Sequence, residues 1–203
     1  GISICENLLQ ANSNLKITGL DNLSRKGSER NVGKLQELGV SLLRKDVRNA
    51  SDLEDLDRFD WIIDCSANPS VLAGINGESS SRQLIEHNLL GTINLLEYCK
   101  LHQTGLILLS TSRVYSAKNL ASLPIQEQVD HFKIDTGRIL SGISSKGINE
   151  DFPTTPPLSL YGMSKLSSEN LALEYGENFD FPVWINRCGV MAGAGQFGKA
   201  EQG

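Results

Sequence analysis

Short apolar segments that alternate with amphipathic ones constrain the fold of this 203-residue chain more than any other feature. Strand-like segments are predicted at 15–20, 40–43, 61–65, 106–109 and 183–186. The longest helical pattern runs over 81–102, and further helical segments are predicted at 4–10, 32–38, 52–56 and 160–175. Strands that are apolar on both faces and are joined by helices predict an α/β fold with a doubly wound, Rossmann-type parallel sheet.

Polar and small residues collect directly after these strands. They are Asp21, Asp46, 66–70, 110–112 and 187–189. Because the carboxyl ends of parallel strands form the ligand crevice of an open α/β sheet, we expect the functional site there. The stretch 116–159 is rich in Ser, Gly and Pro and breaks the alternation, which predicts either a functional loop or small elements.

The amino-acid composition argues against several kinds of binding partner. The formal net charge is −5 and the Lys and Arg residues are scattered along the sequence. This pattern excludes binding to the phosphate backbone of a nucleic acid. The four cysteines lie far apart, so neither a disulfide framework nor a metal site is expected, and a cytoplasmic location is favoured. No apolar run approaches the roughly 20 residues that span a bilayer, so no membrane partner is expected.

The first part of the chain has the spacing of a dinucleotide-binding unit, in which an acidic residue follows a glycine-rich loop by about 20 positions. Gly1, a helical segment, a strand and Asp21 follow one another in this way. A carboxylate at Asp21 can accept both ribose hydroxyls of adenosine and would repel a 2′-phosphate, which favours NAD over NADP. Alternatively, Asp21 is a turn residue or a helix cap. Asp46, after the next strand, is placed either to contact the adenine edge or to cap the following helix.

Two residues of the predicted helix 160–175 suggest proton chemistry. Tyr161 and Lys165 are four residues apart and therefore share one helix face. An adjacent ammonium would favour the phenolate form of a phenol whose reference pKa is about 10, and the lysine can also hold a nicotinamide ribose. Such a pair also arises by chance, so it gains weight only in combination.

Hydroxyl groups at the end of the strand 106–109 provide that combination. Thr111 lies between Ser110 and Ser112 directly after the apolar run. A hydroxyl there can hydrogen-bond a sugar hydroxyl and help pass its proton to a tyrosine. Taken alone, Ser110, Thr111 and Ser112 could equally be ordinary polar residues at the point where the strand ends.

Together these residues resemble the motifs of the extended short-chain dehydrogenases/reductases that act on nucleotide sugars, over essentially the whole chain. The matching positions are Gly1 for the phosphate loop, Asp21 to Ser24 for the ribose-binding segment, Asp46 with Val47 for the adenine-contacting pair, Thr111 for the catalytic Ser/Thr, and Tyr161 with Lys165 for the Tyr/Lys helix. The resemblance implies that NAD is the cofactor and that a nucleotide sugar is the substrate. It also implies a homodimer that pairs the helices 81–102 and 160–175 of each subunit.

The resemblance assigns roles to individual residues. The implied catalytic residues are Thr111, Tyr161 and Lys165. The implied cofactor-binding residues are Gly1, Asp21, Asn22, Ser24, Asp46, Val47, Ser66, Ala67, Asn88, Tyr161, Lys165 and Arg187. Asn88 could also be an ordinary helix residue, and Arg187 borders either the nicotinamide or the sugar diphosphate. Cys188 has no identifiable histidine partner, so a nucleophilic role is not expected.

The chain departs from the family pattern at three places. Asp64 stands where many relatives have His, and the interval from Thr111 to Tyr161 is longer than in most relatives, which predicts an insertion at about 116–158. The first strand, two phosphate-loop glycines and the C-terminal substrate domain are missing. We therefore expect 1–190 to be an N-terminally truncated NAD-binding domain and 191–203 to begin a truncated substrate-binding domain, with a substrate loop at 193–198.

Within the family, the similarity is greatest to CDP-paratose 2-epimerase-like (CDP-tyvelose epimerase-like) proteins. It is carried by 21–29, 67–71, 110–116, 185–190 and 195–199. This implies 2-epimerisation of a CDP-linked deoxyhexose by transient hydride transfer. Alternatives are a 4-epimerase or dehydratase acting on another nucleotide sugar, or a non-catalytic NAD-binding regulator on the same fold. Dehydratases place Asp-Glu after the catalytic Thr, where this chain has Ser112-Arg113, so dehydration is disfavoured.

Overall fold

The computed structural model describes residues 1–75, 77, 80–135, 141–144 and 146–193. Two compact units are present, built mainly from Gly1–Asp57 and from Arg58–Ala192. Both contain parallel strands joined by helices, which confirms the predicted α/β fold. Among the described residues, no helix has the length and apolar character needed to cross a membrane.

The first unit holds a small parallel pair of strands. Its elements are α1 (Ile2–Ala11), β1 (Thr18–Leu20), α2 (Arg30–Glu37), β2 (Ser41–Leu43) and α3 (Ser51–Glu54). β1 pairs with β2, with Leu20 opposite Leu43. Because the strands are parallel, the segments that follow them, with Asp21 and Asp46, begin at the same edge of the pair.

The second unit is built around three parallel strands. They are β3 (Trp61–Asp64), β4 (Gly105–Thr111) and β9 (Val183–Cys188), in the order β3-β4-β9. Their carboxyl ends meet at one edge, where Thr111 lies opposite Cys188 in the register. The predicted meeting of polar strand ends is confirmed for these three strands.

Two long helical stretches cover one face of this sheet. The first runs through α4 (Ser81–Ile85), a wider π turn (Glu86–Leu90) and α5 (Gly91–His102), and the second is α7 (Leu160–Phe179). The core between helices and sheet contains Leu96, Cys99, Leu106, Leu108, Ala172 and Phe181. On the other face, Trp61 and Trp184 are 50% and 64% exposed, so within this unit helices cover only one face.

Small elements occupy the long irregular stretch between β4 and α7. They are a 3₁₀ turn (Ser112–Val114), α6 (Ala117–Ala121), and the antiparallel pairs β5 (Ile125–Glu127) with β6 (Phe132–Ile134) and β7 (Ile143–Ser144) with β8 (Gly147–Ile148). Val114, Tyr115 and Phe152 are buried together and anchor the stretch. Of the two expectations for this region, small elements are what the structure shows.

Candidate active site

The Thr111 and Tyr161 side chains meet at the carboxyl edge of the second unit's sheet. Thr111 is the last residue of β4, and Tyr161 lies in the first turn of α7, which Ser159 caps by accepting the Gly162 N–H at 2.9 Å. The Thr111 hydroxyl is within reach of the Tyr161 phenol for a side-chain hydrogen bond, which lowers the pKa of the phenol. Since Thr111 Oγ1 accepts the Arg113 N–H at 3.2 Å, its own proton is available to donate to the tyrosine oxygen.

The environment of this pair favours the neutral phenol. Burial raises the pKa of Tyr161 above its ordinary value, and the nearby Cys188 thiol raises it further, while the Thr111 hydrogen bond and the Arg113 charge lower it. Burial outweighs the groups that lower the pKa of Tyr161, and the expectation that Lys165 lowers it stays a prediction.

Lys165 is the most unusual polar side chain in this unit. It is only 1% exposed, and within the described part of the chain its Nζ has no hydrogen-bond partner. A buried ammonium without a partner is unfavourable by several kcal/mol. An incoming polar group such as a ribose hydroxyl would satisfy it, so the side chain fits the nicotinamide ribose that the sequence predicts for it.

Asn88 ties the long helical stretch to the catalytic helix. It lies in the π turn and is 1% exposed. Its Oδ1 accepts the Asn68 N–H at 2.8 Å, and its Nδ2 donates to the Ser164 hydroxyl at 3.0 Å. Ser164 in turn donates to the Tyr161 carbonyl at 2.8 Å. Asn88 is thus more than an ordinary helix residue, whereas its contact with the cofactor stays a prediction.

A second set of hydroxyls fixes the same helices to each other. The Asn88 carbonyl accepts hydrogen bonds from Thr92 Oγ1 at 2.8 Å and from Ser168 Oγ at 3.2 Å. Ser164 and Ser168 are four residues apart on α7 and are both buried, so this helix face approaches the π turn closely. The position of Tyr161 and Lys165 therefore depends on a buried polar contact between helices.

Gly162 permits the close approach of α7 to the turn after β4. A Cβ atom at this position would overlap the Arg113 carbonyl oxygen. Any larger residue would push the start of α7 away from the turn that positions Thr111. No role was predicted for this glycine, although it follows Tyr161 directly.

Arg187 and Cys188 end β9 at the same edge. The Arg187 guanidinium donates to Glu169 at 2.8 and 3.0 Å and lies 5.3 Å from the centre of the Tyr115 ring. Burial lowers the pKa of Arg187, but the Glu169 hydrogen bond and charge outweigh it and raise the pKa above its usual value. The predicted contact of Arg187 with the cofactor or substrate stays a prediction.

The end of β3 supplies small side chains and one buried carboxylate. Asp64 is 3% exposed, and its Oδ1 accepts both the N–H and the hydroxyl of Ser66, at 2.8 and 2.6 Å. Its Oδ2 is buried without a hydrogen-bond partner among the described residues. Ser66 is half-buried and Ala67 is exposed, and the contact predicted between them and the cofactor stays a prediction.

In the first unit, the predicted ribose-binding segment forms a tight turn. Asp21 is exposed, and its Oδ1 accepts the Leu23 N–H at 2.7 Å, while Asn22 Oδ1 accepts the Ser24 N–H at 2.9 Å. The turn interpretation of Asp21 is therefore confirmed. Ribose binding by Asp21, Asn22 and Ser24 stays a prediction. Gly1 precedes α1 and its carbonyl accepts the Cys5 N–H at 3.1 Å.

Asp46 is held by its neighbours instead of capping the next helix. Its carboxylate accepts hydrogen bonds from Asn22 Nδ2 at 2.9 Å and from Arg48 NH2 at 2.6 Å. These contacts, the Arg48 hydrogen bond above all, hold the pKa of Asp46 well below its ordinary value. α3 begins only at Ser51 and has no side-chain cap, so the helix-cap alternative is wrong. The contacts of Asp46 and the half-buried Val47 with adenine stay predictions.

Some site residues lie outside the sequence predictions, and one prediction lies outside the described residues. Ser164, Ser168 and Glu169 were not singled out, although small or polar residues recurring every four positions along α7 are a signal of close helix packing. The predicted substrate loop at 193–198 falls, beyond Gly193, outside the described part of the chain.

Comparisons with known proteins agree with this geometry. The chain is 30% identical to dTDP-D-glucose 4,6-dehydratase of Dictyostelium discoideum over 189 residues, 91% of this chain and 39% of that protein. It is 28% identical to CDP-paratose 2-epimerase of Salmonella typhi over 190 residues, 90% of this chain and 52% of that protein. The crystal structure of UDP-glucuronic acid 4-epimerase from Bacillus cereus, in complex with UDP-glucuronic acid and NAD, matches with a TM-score of 0.64 and 27% identity, covering 92% of this chain and 52% of that one.

The structural match places the three-stranded sheet and α7 in a Rossmann-type fold, and the chain spans about half of the length of these relatives or less. The model of the NAD dependent epimerase/dehydratase family matches residues 1–203. Since that match extends from end to end, this chain belongs to the NAD-dependent epimerase/dehydratase family of nucleotide-sugar enzymes.

Proposed function

We propose that this protein is an NAD-dependent nucleotide-sugar epimerase that acts by transient oxidation of its substrate, with Tyr161 as the proton-transfer residue. One observation supports this above the others. The buried Tyr161 phenol is within hydrogen-bonding reach of Thr111 and lies on the same helix as Lys165, whose Nζ is buried without a hydrogen-bond partner among the described residues. A hydroxyl, a phenol and an ammonium gathered in this way suit reversible removal of a proton from a sugar hydroxyl.

Both units carry residues that the resemblance to the family assigns to the cofactor. In the second unit, Lys165 holds the hydroxyls of the nicotinamide ribose, which would give its buried Nζ the partner it lacks. In the first unit, Asp21 accepts hydrogen bonds from the adenosine ribose, with Gly1, Asn22, Ser24, Asp46 and Val47 completing the segment that the family uses. When bound, NAD supplies a hydride acceptor and the positive charge of its oxidised ring.

The proton transfer uses the Thr111–Tyr161 pair in both directions. In the first half, Tyr161 accepts the proton of the sugar hydroxyl directly or through Thr111, as the hydride leaves the same carbon. In the second half, Tyr161 returns a proton to the oxygen while the hydride returns to the other face of the carbon, which inverts that centre. The hydrogen bond from Thr111 stabilises the phenolate that has to be present before the first half and that the second half regenerates.

We propose CDP-linked deoxyhexoses as substrates, with inversion at carbon 2. The support is the similarity of 21–29, 110–116 and 185–190 to CDP-paratose 2-epimerase-like proteins and the 28% identity with the Salmonella typhi protein. A 4-epimerase is the second candidate, because the Bacillus cereus UDP-glucuronic acid 4-epimerase is 27% identical. A dehydratase is disfavoured, since the turn beside Thr111 carries Ser112 and Arg113 instead of a carboxylate pair.

Product analysis of the full-length protein tests this proposal. The protein is incubated with NAD and, separately, with CDP-paratose, UDP-glucuronic acid and dTDP-glucose, and the sugars are followed by NMR. Conversion of CDP-paratose to CDP-tyvelose is expected. Inversion at carbon 4 of UDP-glucuronic acid would replace the proposed substrate, and loss of water from dTDP-glucose would replace the reaction class. NAD binding without turnover of any sugar would favour the non-catalytic regulator.

We also propose that the protein forms a homodimer through its two long helical stretches. Exposed apolar residues on these stretches support it, since Leu101 is 76% and Leu173 is 54% exposed. Light scattering coupled to size-exclusion chromatography measures the mass in solution. Leu173→Glu should shift a dimer towards monomer, and a monomeric wild-type protein would contradict the proposal.

A further inference from the structure

We propose that Glu169 is a positioning residue that holds the ends of β4 and β9 against α7 and thereby sets the contact between Thr111 and Tyr161. This inference rests on the proposed function of Tyr161 and deepens it. Within the described part of the chain, Glu169 makes no hydrogen bond or ion pair with Thr111 or Tyr161, so its effect would pass through the residues that it binds.

Glu169 joins three elements through one buried carboxylate. It lies on α7, four residues after Lys165, and is only 2% exposed. Ser110 on β4 donates its hydroxyl proton to Glu169 Oε1. Arg187 on β9 donates to Glu169 Oε2 from Nε at 3.0 Å and from NH2 at 2.8 Å. A carboxylate this deeply buried is tolerated because a cation and a hydroxyl both contact it.

The two residues that Glu169 binds are direct neighbours of the reactive ones. Ser110 precedes Thr111, and Arg187 precedes Cys188, which lies opposite Thr111 in the register of β4 and β9. A displacement of Ser110 by a few tenths of an ångström must therefore move Thr111 as well. Hydrogen bonds weaken steeply with distance and angle, so the Thr111–Tyr161 bond is sensitive to such a displacement.

Arg187 extends the same network to the stretch that precedes α7. Its NH1 donates to the Glu150 carbonyl at 3.0 Å, and its guanidinium lies over the Tyr115 ring. Tyr115 packs edge-on against Phe152, with ring centres 5.7 Å apart. The Glu169–Arg187 ion pair and the contacts around it thus link the ends of β4 and β9, helix α7 and the stretch that precedes α7.

The pKa of Tyr161 reports on the Thr111 contact without any substrate. Because the Thr111 hydrogen bond lowers this pKa, a looser contact should raise it. A direct charge effect has the opposite sign, since removing the negative charge of Glu169 would make the phenolate easier to form. The direction of the change therefore separates positioning from simple electrostatics.

The experiment is a spectrophotometric phenolate titration of this chain. Each variant is compared with the same variant carrying Tyr161→Phe, so that the difference isolates Tyr161 from the other tyrosines. Arg113 and Cys188 also face Tyr161, and Lys165 shares its helix. Since the Cys188 thiol can titrate, the series is repeated with Cys188→Ser. The variants are Ser110→Ala, Glu169→Gln and Thr111→Val, with exposed Glu177→Gln as the matched control on the same helix.

Ser110→Ala and Glu169→Gln should each lower the phenolate fraction at a fixed pH by roughly threefold to tenfold, approaching the effect of Thr111→Val. Adding Glu169→Gln to Thr111→Val should lower the phenolate fraction no further, because the contact is already lost. Glu177→Gln should leave the titration unchanged.

An unchanged Tyr161 pKa in a folded Glu169→Gln variant, with only a lower melting temperature, would reduce Glu169 to a structural role. A fall in the pKa would also overturn the proposal. If Glu169→Gln does not fold, Ser110→Ala decides, because it keeps the ion pair and removes one hydrogen bond. None of these outcomes depends on turnover. A protein without epimerase activity would therefore refute the proposed function, whereas the role of Glu169 would still be decided by the titration.

Discussion

The edge of the three-stranded sheet and the edge of the two-stranded pair carry their functional residues in different surroundings. In the second unit, Thr111, Tyr161 and Lys165 are each less than a tenth exposed and are fixed by contacts between distant elements. In the first unit, Asp21 is exposed and bonds to a residue only two positions away.

This difference indicates that the two regions suit different parts of the proposed function. Burial changes the energy of charged groups strongly, so the region that moves protons benefits from being inside the protein. Recognition of an exposed ribose needs only a correctly placed carboxylate at a turn. We therefore expect a change at Tyr161 in the second unit to lower kcat, and a change at Asp21 in the first unit to weaken cofactor binding without lowering kcat.

Replacing the catalytic phenol gives the largest expected effect. Tyr161→Phe removes the proton-transfer group and should lower kcat by about 10³- to 10⁴-fold, while NAD affinity stays within about threefold. Turnover is followed by NMR, and NAD affinity by calorimetry. Tyr175→Phe is the matched control, since Tyr175 lies on the same helix but donates to Glu97 at 2.7 Å. If Tyr161→Phe turned over substrate at the wild-type rate, the buried region would not be the one that carries out proton transfer.

Lys165→Met separates stability from cofactor binding. Removing a buried ammonium without a partner should stabilise the ligand-free protein by about 1–3 kcal/mol. Losing its hydrogen bonds to the ribose should weaken NAD binding by roughly tenfold to a hundredfold. Urea unfolding and calorimetry measure the two effects, with exposed Lys118→Met as the control. A destabilised variant with unchanged NAD affinity would show that Lys165 is a structural residue.

Asp21→Ala examines the exposed region. The loss of a solvent-exposed carboxylate should weaken NAD binding by about tenfold and reduce the preference for NAD over NADP. The kcat at saturating NAD should change by no more than about twofold. Calorimetric titrations with both dinucleotides measure the preference, and exposed Asp55→Ala serves as the control. A loss of kcat comparable to that of Tyr161→Phe would erase the contrast between the regions.

The smallest expected effect is the pH dependence that Asp46 gives to stability. The Arg48 hydrogen bond lowers the pKa of Asp46 most, with burial opposing it and Asn22 assisting. A carboxylate with a depressed pKa in the folded state stabilises it fully above the unfolded pKa of about 4, and this contribution is lost as pH falls below that value. We expect about 1 kcal/mol, because the pair is partly exposed.

Urea unfolding at about pH 7 and about pH 3 measures this term in the wild type and in Asp46→Asn. The variant should be less stable than the wild type at neutral pH, and the difference should be smaller at about pH 3, below the unfolded pKa. Asp55→Asn, at an exposed carboxylate, should follow the wild-type profile at both pH values. A constant difference between wild type and Asp46→Asn would show that the charge of Asp46 contributes nothing.

Much of the fold could be predicted because its signals are local. The predicted helix over 81–102 is present from Ser81 to His102, and the strand predicted at 183–186 extends to Cys188. The π turn was not predicted, because the contacts that accompany it join Asn88 to Ser164 and Ser168 of α7. These residues are far from Asn88 in the chain, so no local pattern indicates the turn. The small strands between β4 and α7 also escaped prediction, since each has only two or three residues.

By itself, the sequence determined the alternation of strands and helices, the spacing of Tyr161 and Lys165 on one helix face, and the placement of Thr111 at a strand end. These follow from periodicity and chain order, which neighbouring residues fix. Only the tertiary structure decided that Lys165 is buried without a partner and that Glu169 holds Arg187 and Ser110. Burial and pairing depend on residues many positions apart in the chain, and only the packing of helices on the sheet brings these together.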